Sequence, residues 1–181
     1  MALKFMFPKQ RPLPSTTSGF TLIEMLVVVI IVGILASIAA PDWFAYLMGR
    51  RVVTVRDELR QAMEQAQATA ITKRETQTVY FYPDEDLPTI AVGGGSTPAN
   101  SVTQEVVGSD GVRPGMIAIS TTADSVAFDY RGAIISPNIT DGSPLIVEVT
   151  PGGGIGGRRS CVIVQTILGN FRNEDGAACD P

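Results

Sequence analysis

The segment SGFTLIEMLVVVIIVGILASIAAP, residues 18–41, constrains this chain more than any other part of it. From residue 25 to residue 40 no side chain is charged, and extension back to Phe20 gives 21 mostly apolar residues. As a helix that length is roughly 30 Å, the thickness of a bilayer's hydrocarbon core. Such a stretch can span a membrane. Glu24 stands out within it. An ionised carboxylate in an apolar span is costly, on the order of 2.5–3.5 kcal/mol near a bilayer centre, and such groups are usually kept for a partner. The plainer alternative is a carboxylate that snorkels to the interface, since Glu24 lies only a turn from the start of the run.

The preceding stretch, MALKFMFPKQRPLPSTTSG, holds three prolines, three cations (Lys4, Lys9, Arg11) and no acid, and reads as a positive leader instead of folded structure. Charge does not orient the span, because Arg50, Arg51 and Arg56 follow it within the window that the positive-inside rule counts. An ordinary secretory signal, with Ser37-Ile38-Ala39 as its small-x-small cleavage site, is the competing reading. Glu24 weighs against it.

Gly19-Phe20-Thr21-Leu22-Ile23-Glu24, followed by the apolar run and Pro41, resembles the N-terminus of type IV pilins and type II secretion pseudopilins. The resemblance implies cleavage by a prepilin peptidase after Gly19 and methylation of the new terminus at Phe20 by the same enzyme. It also implies that Glu24 registers subunits in a filament by meeting a neighbour's N-terminal amine. Physically, a lone carboxylate in a dry core is unfavourable, but paired with an amine at low dielectric it becomes a strong, position-specific contact.

The whole chain has 181 residues, enough for this segment and one domain of ordinary size. Beyond Gly19 the balance is 11 basic against 18 acidic residues, a net charge of −7, the wrong sign for a general polyanion binder. There is no histidine, which removes Ser/His/Asp and Cys/His nucleophile systems and the usual imidazole zinc sites. Cys161 and Cys179 form no CxxC pair. In an exported domain they read as a disulfide, worth about 3 kcal/mol for a loop of this size; the alternative is two unpaired buried thiols.

Pro41 is expected to bend or loosen the helix, and Gly49 is a second soft point. Helical patterning then resumes. Val52, Val55, Leu59, Ala62, Met63, Ala66 and Ala70 recur at steps of three and four, while Arg56, Asp57, Arg60, Glu64 and Lys73 fall elsewhere. This predicts an amphipathic helix over 50–74 laid on a sheet. After Arg74 the pattern changes to strands at 76–82, 116–120, 125–130, 145–150 and 161–168. Leu145, Val147 and Val149 should share one face, as should Val126, Phe128 and Tyr130. The segment 83–114 is long, polar and Gly-rich, and reads as a mobile surface loop; SPN at 136–138 and PGGGIGG at 151–157 are further breakers.

The helix and strand pattern, ending in CVIVQTILGNFRNEDGAAC, resembles the GspH/FimT subgroup of pseudopilins and minor pilins. Some FimT-type minor pilins act as DNA receptors through a Gly-Arg-x-Arg motif. The matching positions here are Gly169-Asn170-Phe171-Arg172, so only Arg172 carries over, with Arg158 and Arg159 as nearby cations and Phe171 as a ring that could stack on a base. Glu174, Asp175 and Asp180 would repel phosphate. Gly152, Gly154 and Gly157 formally fit GxGxxG, but a strand-like RRSCVIVQT follows where a helix N-terminus is needed. Asp84, Glu85 and Asp86 match no complete calcium loop and read as a solvated turn.

The resulting expectation is an α+β, pilin-like chain: leader 1–19, transmembrane and filament-core helix 20–48, and periplasmic globular domain 49–181. It is expected to have no metal, cofactor or catalytic activity. Its partners would be the peptidase/methylase, other pilins or pseudopilins, inner-membrane lipid and an assembly platform. The function expected is that of a minor subunit of a type II secretion pseudopilus or a type IV pilus, with a DNA-uptake pilus as the alternative.

Overall fold

A computed structural model describes residues 19–95, 102, 104–108, 111–135, 143–153, 157–165 and 168–180. The leader with Lys4, Lys9 and Arg11, the SPN breaker and Gly154 lie outside the described residues. One helix, α1, covers Leu22–Lys73. It opens on a cap, with the Glu24 amide donating to Thr21 Oγ1 at 3.3 Å. It ends at Arg74, whose φ of 53° is left-handed, and the Glu75 amide returns to the Ala70 carbonyl at 3.2 Å. That bond closes the last turn in the manner usually given to glycine. The helix assignment continues through Pro41 and Gly49. Tertiary contacts divide the chain into two units, Met1–Ala40 and Pro41–Pro181.

In the first unit every described residue is exposed. The second unit has a core. From Met48 onward, α1 buries Val52, Val55, Leu59, Met63, Ala66 and Ala70, the predicted stripe except that Ala62 is only partly buried. Arg56 corrects the reading of the polar face, because it is buried with this stripe.

Among the described residues eight antiparallel strands follow: β1 (Gln77–Tyr82), β2 (Thr89–Gly94), β3 (Gln104–Val106), β4 (Ile117–Thr121), β5 (Ser125–Phe128), β6 (Leu145–Pro151), β7 (Ser160–Val164) and β8 (Phe171–Asp175). They form two four-stranded sheets, ordered β3-β2-β1-β5 and β4-β6-β7-β8. The helix stripe and the inner faces of both sheets share one hydrophobic cluster, with Val79, Phe128, Leu145, Val147, Val149, Val162 and Val164 among its members.

Three expectations are corrected here. The segment 83–114 is not one long loop, since β2 and β3 lie within it and pair in register with β1 and with each other. The strand expected over 161–168 ends at Val164, and a further strand, β8, follows it. Tyr130 does not share the face of Val126 and Phe128: β5 stops at Phe128 and Tyr130 is exposed. The glycine-rich segment 151–157 does connect two antiparallel strands, β6 and β7. A side chain at Gly152 would run into the Gly115 carbonyl, so this glycine permits a close approach of two backbones.

Behind β6 and β7, on the face away from the main core, Ile146, Cys161, Ile163 and Cys179 form a second, smaller cluster. A short 3₁₀ helix, Gly176–Cys179, closes over it, and a disulfide joins Cys161 to Cys179. The bond pins the chain's last turn to a central strand.

Candidate functional site

The residues singled out by the sequence fall into two groups that the fold treats differently. Gly19, Phe20 and Glu24 belong to the first unit. Phe20 is 78% exposed, and an 18-residue window of this part of α1 has a mean hydropathy of 2.9 with none of it buried. The exposed apolar side chains surround the axis, Leu22, Ile23, Met25, Leu26, Val27 and Val28 in succession, so no single face is reserved for the chain's own core. Glu24 makes no ion pair among the described residues.

The second group is the set of C-terminal cations and Phe171. Arg172, on the outward face of β8, is held by Glu174 and also donates to Gln165 Oε1 at 3.1 Å. Arg159 bridges Glu148 at 3.2 Å and Asp180 at 2.6 Å. The hydrogen bond to Asp180 leads the interactions that hold its pKa above the usual arginine value. Arg158 is exposed and has no ion pair among the described residues. Phe171 corrects the stacking expectation: it is buried in the main core, its ring centroid 6.2 Å from that of Phe128. The structure therefore pairs Arg159 with Glu148 and Asp180, pairs Arg172 with Glu174, and turns the aromatic ring inward. The Asp84, Glu85 and Asp86 cluster sits in the exposed turn between β1 and β2.

Where α1 meets β7 and β8, the fold assembles a polar joint. Arg56, with only 11% of its side chain exposed, donates to Asp57 Oδ1 at 2.8 Å, to Asp175 Oδ1 at 3.0 Å and to Ser160 Oγ at 2.8 Å. Ser160 in turn donates to Asp175, and Asn173 donates to Asp57 at 3.1 Å. A buried guanidinium needs this many acceptors to replace its water. A second such point is Asp129, after β5. Burial opposes its ionisation, but the amides of Ala133 and Arg131 and the Arg131 guanidinium donate to it, and together they hold its carboxyl below the ordinary value.

Residues 15–40 match the family model described as the prokaryotic N-terminal methylation motif. A fimbrial protein of Neisseria meningitidis serogroup A / serotype 4A is 27% identical over 118 residues, 65% of this chain and 63% of that relative. The chain thus spans under two thirds of that relative's length. Among solved structures, the type IV minor pilin FimU of Pseudomonas aeruginosa superposes with a TM-score of 0.51 at 11% identity, over 69% of this chain and 89% of that one. The fold is pilin-like. The minor pseudopilin EpsH of the Vibrio cholerae type 2 secretion system is a more distant neighbour, with a TM-score of 0.44 and 12% identity over 66% of this chain and 92% of that one.

In this pilin-like chain the motif falls on the first unit and the fold likeness on a helix packed against antiparallel sheets. Sequence reasoning missed the Arg56 joint. The signal available was weak: Arg56 follows Val55 immediately and lies within the apolar stripe, but its partner Asp175 is 119 positions away.

Proposed function

We propose that this pilin-like chain is a minor structural subunit of a helical filament, either a type II secretion pseudopilus or a type IV pilus. Residues 20–48 form its membrane and filament-core helix, and residues 49–181 its periplasmic or surface domain. A prepilin peptidase cuts after Gly19 and methylates Phe20. Subunits wait in the inner membrane and are drawn into the filament by an assembly platform, as scaffold and not as catalyst. Pro41 eases the helix between its two surroundings.

One observation carries this reading: the first unit is apolar all round and unburied, and Glu24 is its single charged residue from position 20 to position 40. In lipid or in a filament core, that carboxylate gains from a neighbour's N-terminal amine. Glu24→Ala is expected to leave the globular unit folded while lowering incorporation into filaments, measured as the fraction of subunits in sheared filaments against membranes. Equal incorporation would remove the registration role. Intact-mass analysis from native membranes tests the processing step: a chain beginning at N-methyl-Phe20 supports it, and a terminus at Ala40 would replace it with simple secretion. With Arg159 and Arg172 engaged by carboxylates, no specific observation favours DNA uptake.

A further inference from the structure

Five arginines of the globular unit, Arg56, Arg60, Arg131, Arg159 and Arg172, are held by carboxylates. Arg51 and Arg113 are not. Both line a cavity of about 830 Å³ beside the first turns of α1 within this unit, where Phe44, Leu47, Met48 and Met116 supply an apolar wall. Arg51 donates only to the Met116 sulfur, at 3.8 Å, and the Arg113 guanidinium has no partner among the described residues. No carboxylate is among the described lining residues. Glu58, further along the helix, is engaged by the Gly108 amide. Phe44 and Leu47 are exposed although they are large and apolar, and so are Trp43 and Tyr46, whose ring centroids lie 6.1 Å apart.

An apolar recess rimmed by unneutralised arginines suits an amphiphile with an anionic head. Along the sequence it begins about one helical turn after the apolar run ends at Ala40. Exposed Trp and Tyr at that position are the side chains that favour the lipid headgroup region. We infer that this cavity is a docking site for an anionic phospholipid, with Arg51 and Arg113 on the phosphate and the Phe44, Leu47 and Met48 wall against the acyl chain. This rests on the membrane-anchoring reading above and adds a function to it: the lipid holds the globular unit in place before the subunit is extracted, and must be released for extraction.

Trp43, the residue before the lining Phe44, is the single tryptophan of the sequence, so its fluorescence reports on this turn of α1 alone. The full-length chain is reconstituted into phosphatidylcholine vesicles containing equal small fractions of either brominated phosphatidylglycerol or brominated phosphatidylcholine as quencher. The expected result is stronger quenching of Trp43 by the anionic lipid, with that preference falling about fivefold for each of Arg51→Gln and Arg113→Gln. Arg60→Gln, at a half-exposed cation paired with Glu64 outside the cavity, should leave the preference unchanged. Equal quenching by both lipids would overturn the inference while leaving anchoring intact. No quenching by either would overturn the anchoring reading and this one with it. A duplex DNA oligonucleotide added to the chain in neutral detergent supplies the remaining arm. Binding that needs Arg51 and Arg113, without any anionic-lipid preference, would reassign the cavity to nucleic acid.

Discussion

The two halves of α1 set an apolar surface and a charge side by side in opposite ways. In residues 22–40 the apolar side chains go all round the helix, none is buried, and Glu24 has no partner among the described residues. From Met48 to Ala70 the apolar residues form one stripe, that stripe is buried by two sheets, and Arg56 within it is met by Asp57, Asp175 and Ser160. A stripe can be satisfied by the chain's own domain, whereas a helix apolar on every side cannot. The same holds for charge: Arg56 is paired within the globular unit, and Glu24 makes no ion pair among the described residues.

The sharpest way to break this comparison is to truncate a leucine on each side. Leu59→Ala should destabilise the globular unit by about 3 kcal/mol, read as a shifted denaturation midpoint. Leu26→Ala, in the exposed half, should leave that midpoint unchanged. A comparable loss from both would mean that the first unit is part of the domain's core. Next in size is the disulfide. Reduction, or Cys161→Ser with Cys179→Ser, should cost about 3 kcal/mol at most by the loop-entropy argument, and should loosen the last turn before the main core, which hydrogen exchange would resolve.

Removing the charges sharpens the second half of the comparison. Arg56→Leu should cost about 2 kcal/mol, because Ser160 and two half-exposed carboxylates lose their donor, while Glu24→Leu should leave domain stability as it was. The smallest effect expected is that of Asp129. Its pKa is lowered in the native state, so its contribution is fully present above the usual carboxylate range and is lost as pH falls through the native value. The stability difference between the wild-type chain and Asp129→Asn should accordingly hold at neutral pH and shrink as pH falls below about 5 and on through the lowered native value. A difference constant with pH would show that folding does not lower the Asp129 pKa.

Much of this was legible in the sequence because it is local or periodic. The run from Phe20 to Ala40 with its single carboxylate, the three-four stripe of α1 and the alternation of β6 each report burial along one dimension. The elements that escaped notice lack such a pattern. β3 (Gln104–Val106) is an edge strand exposed throughout, and β8 (Phe171–Asp175) buries only Phe171 fully, so both read as polar loop. A strand paired along one edge needs little apolar content of its own.

The sequence by itself settled where the chain is apolar on all sides, where it is apolar on one, and where a charge sits without local relief. Only the tertiary structure decided that Arg56 turns inward, that Phe171 fills the core and that Arg159 and Arg172 are taken by Glu148, Asp180 and Glu174. It also placed Arg51 and Arg113, which have no ion pair among the described residues, beside an apolar recess. The physical reason is range. Helix and strand periodicity follow from neighbours a few residues apart, while the partner of a charge is chosen by strand register across the whole chain, as Ser160 opposite Asp175 and Cys161 opposite Glu174 show.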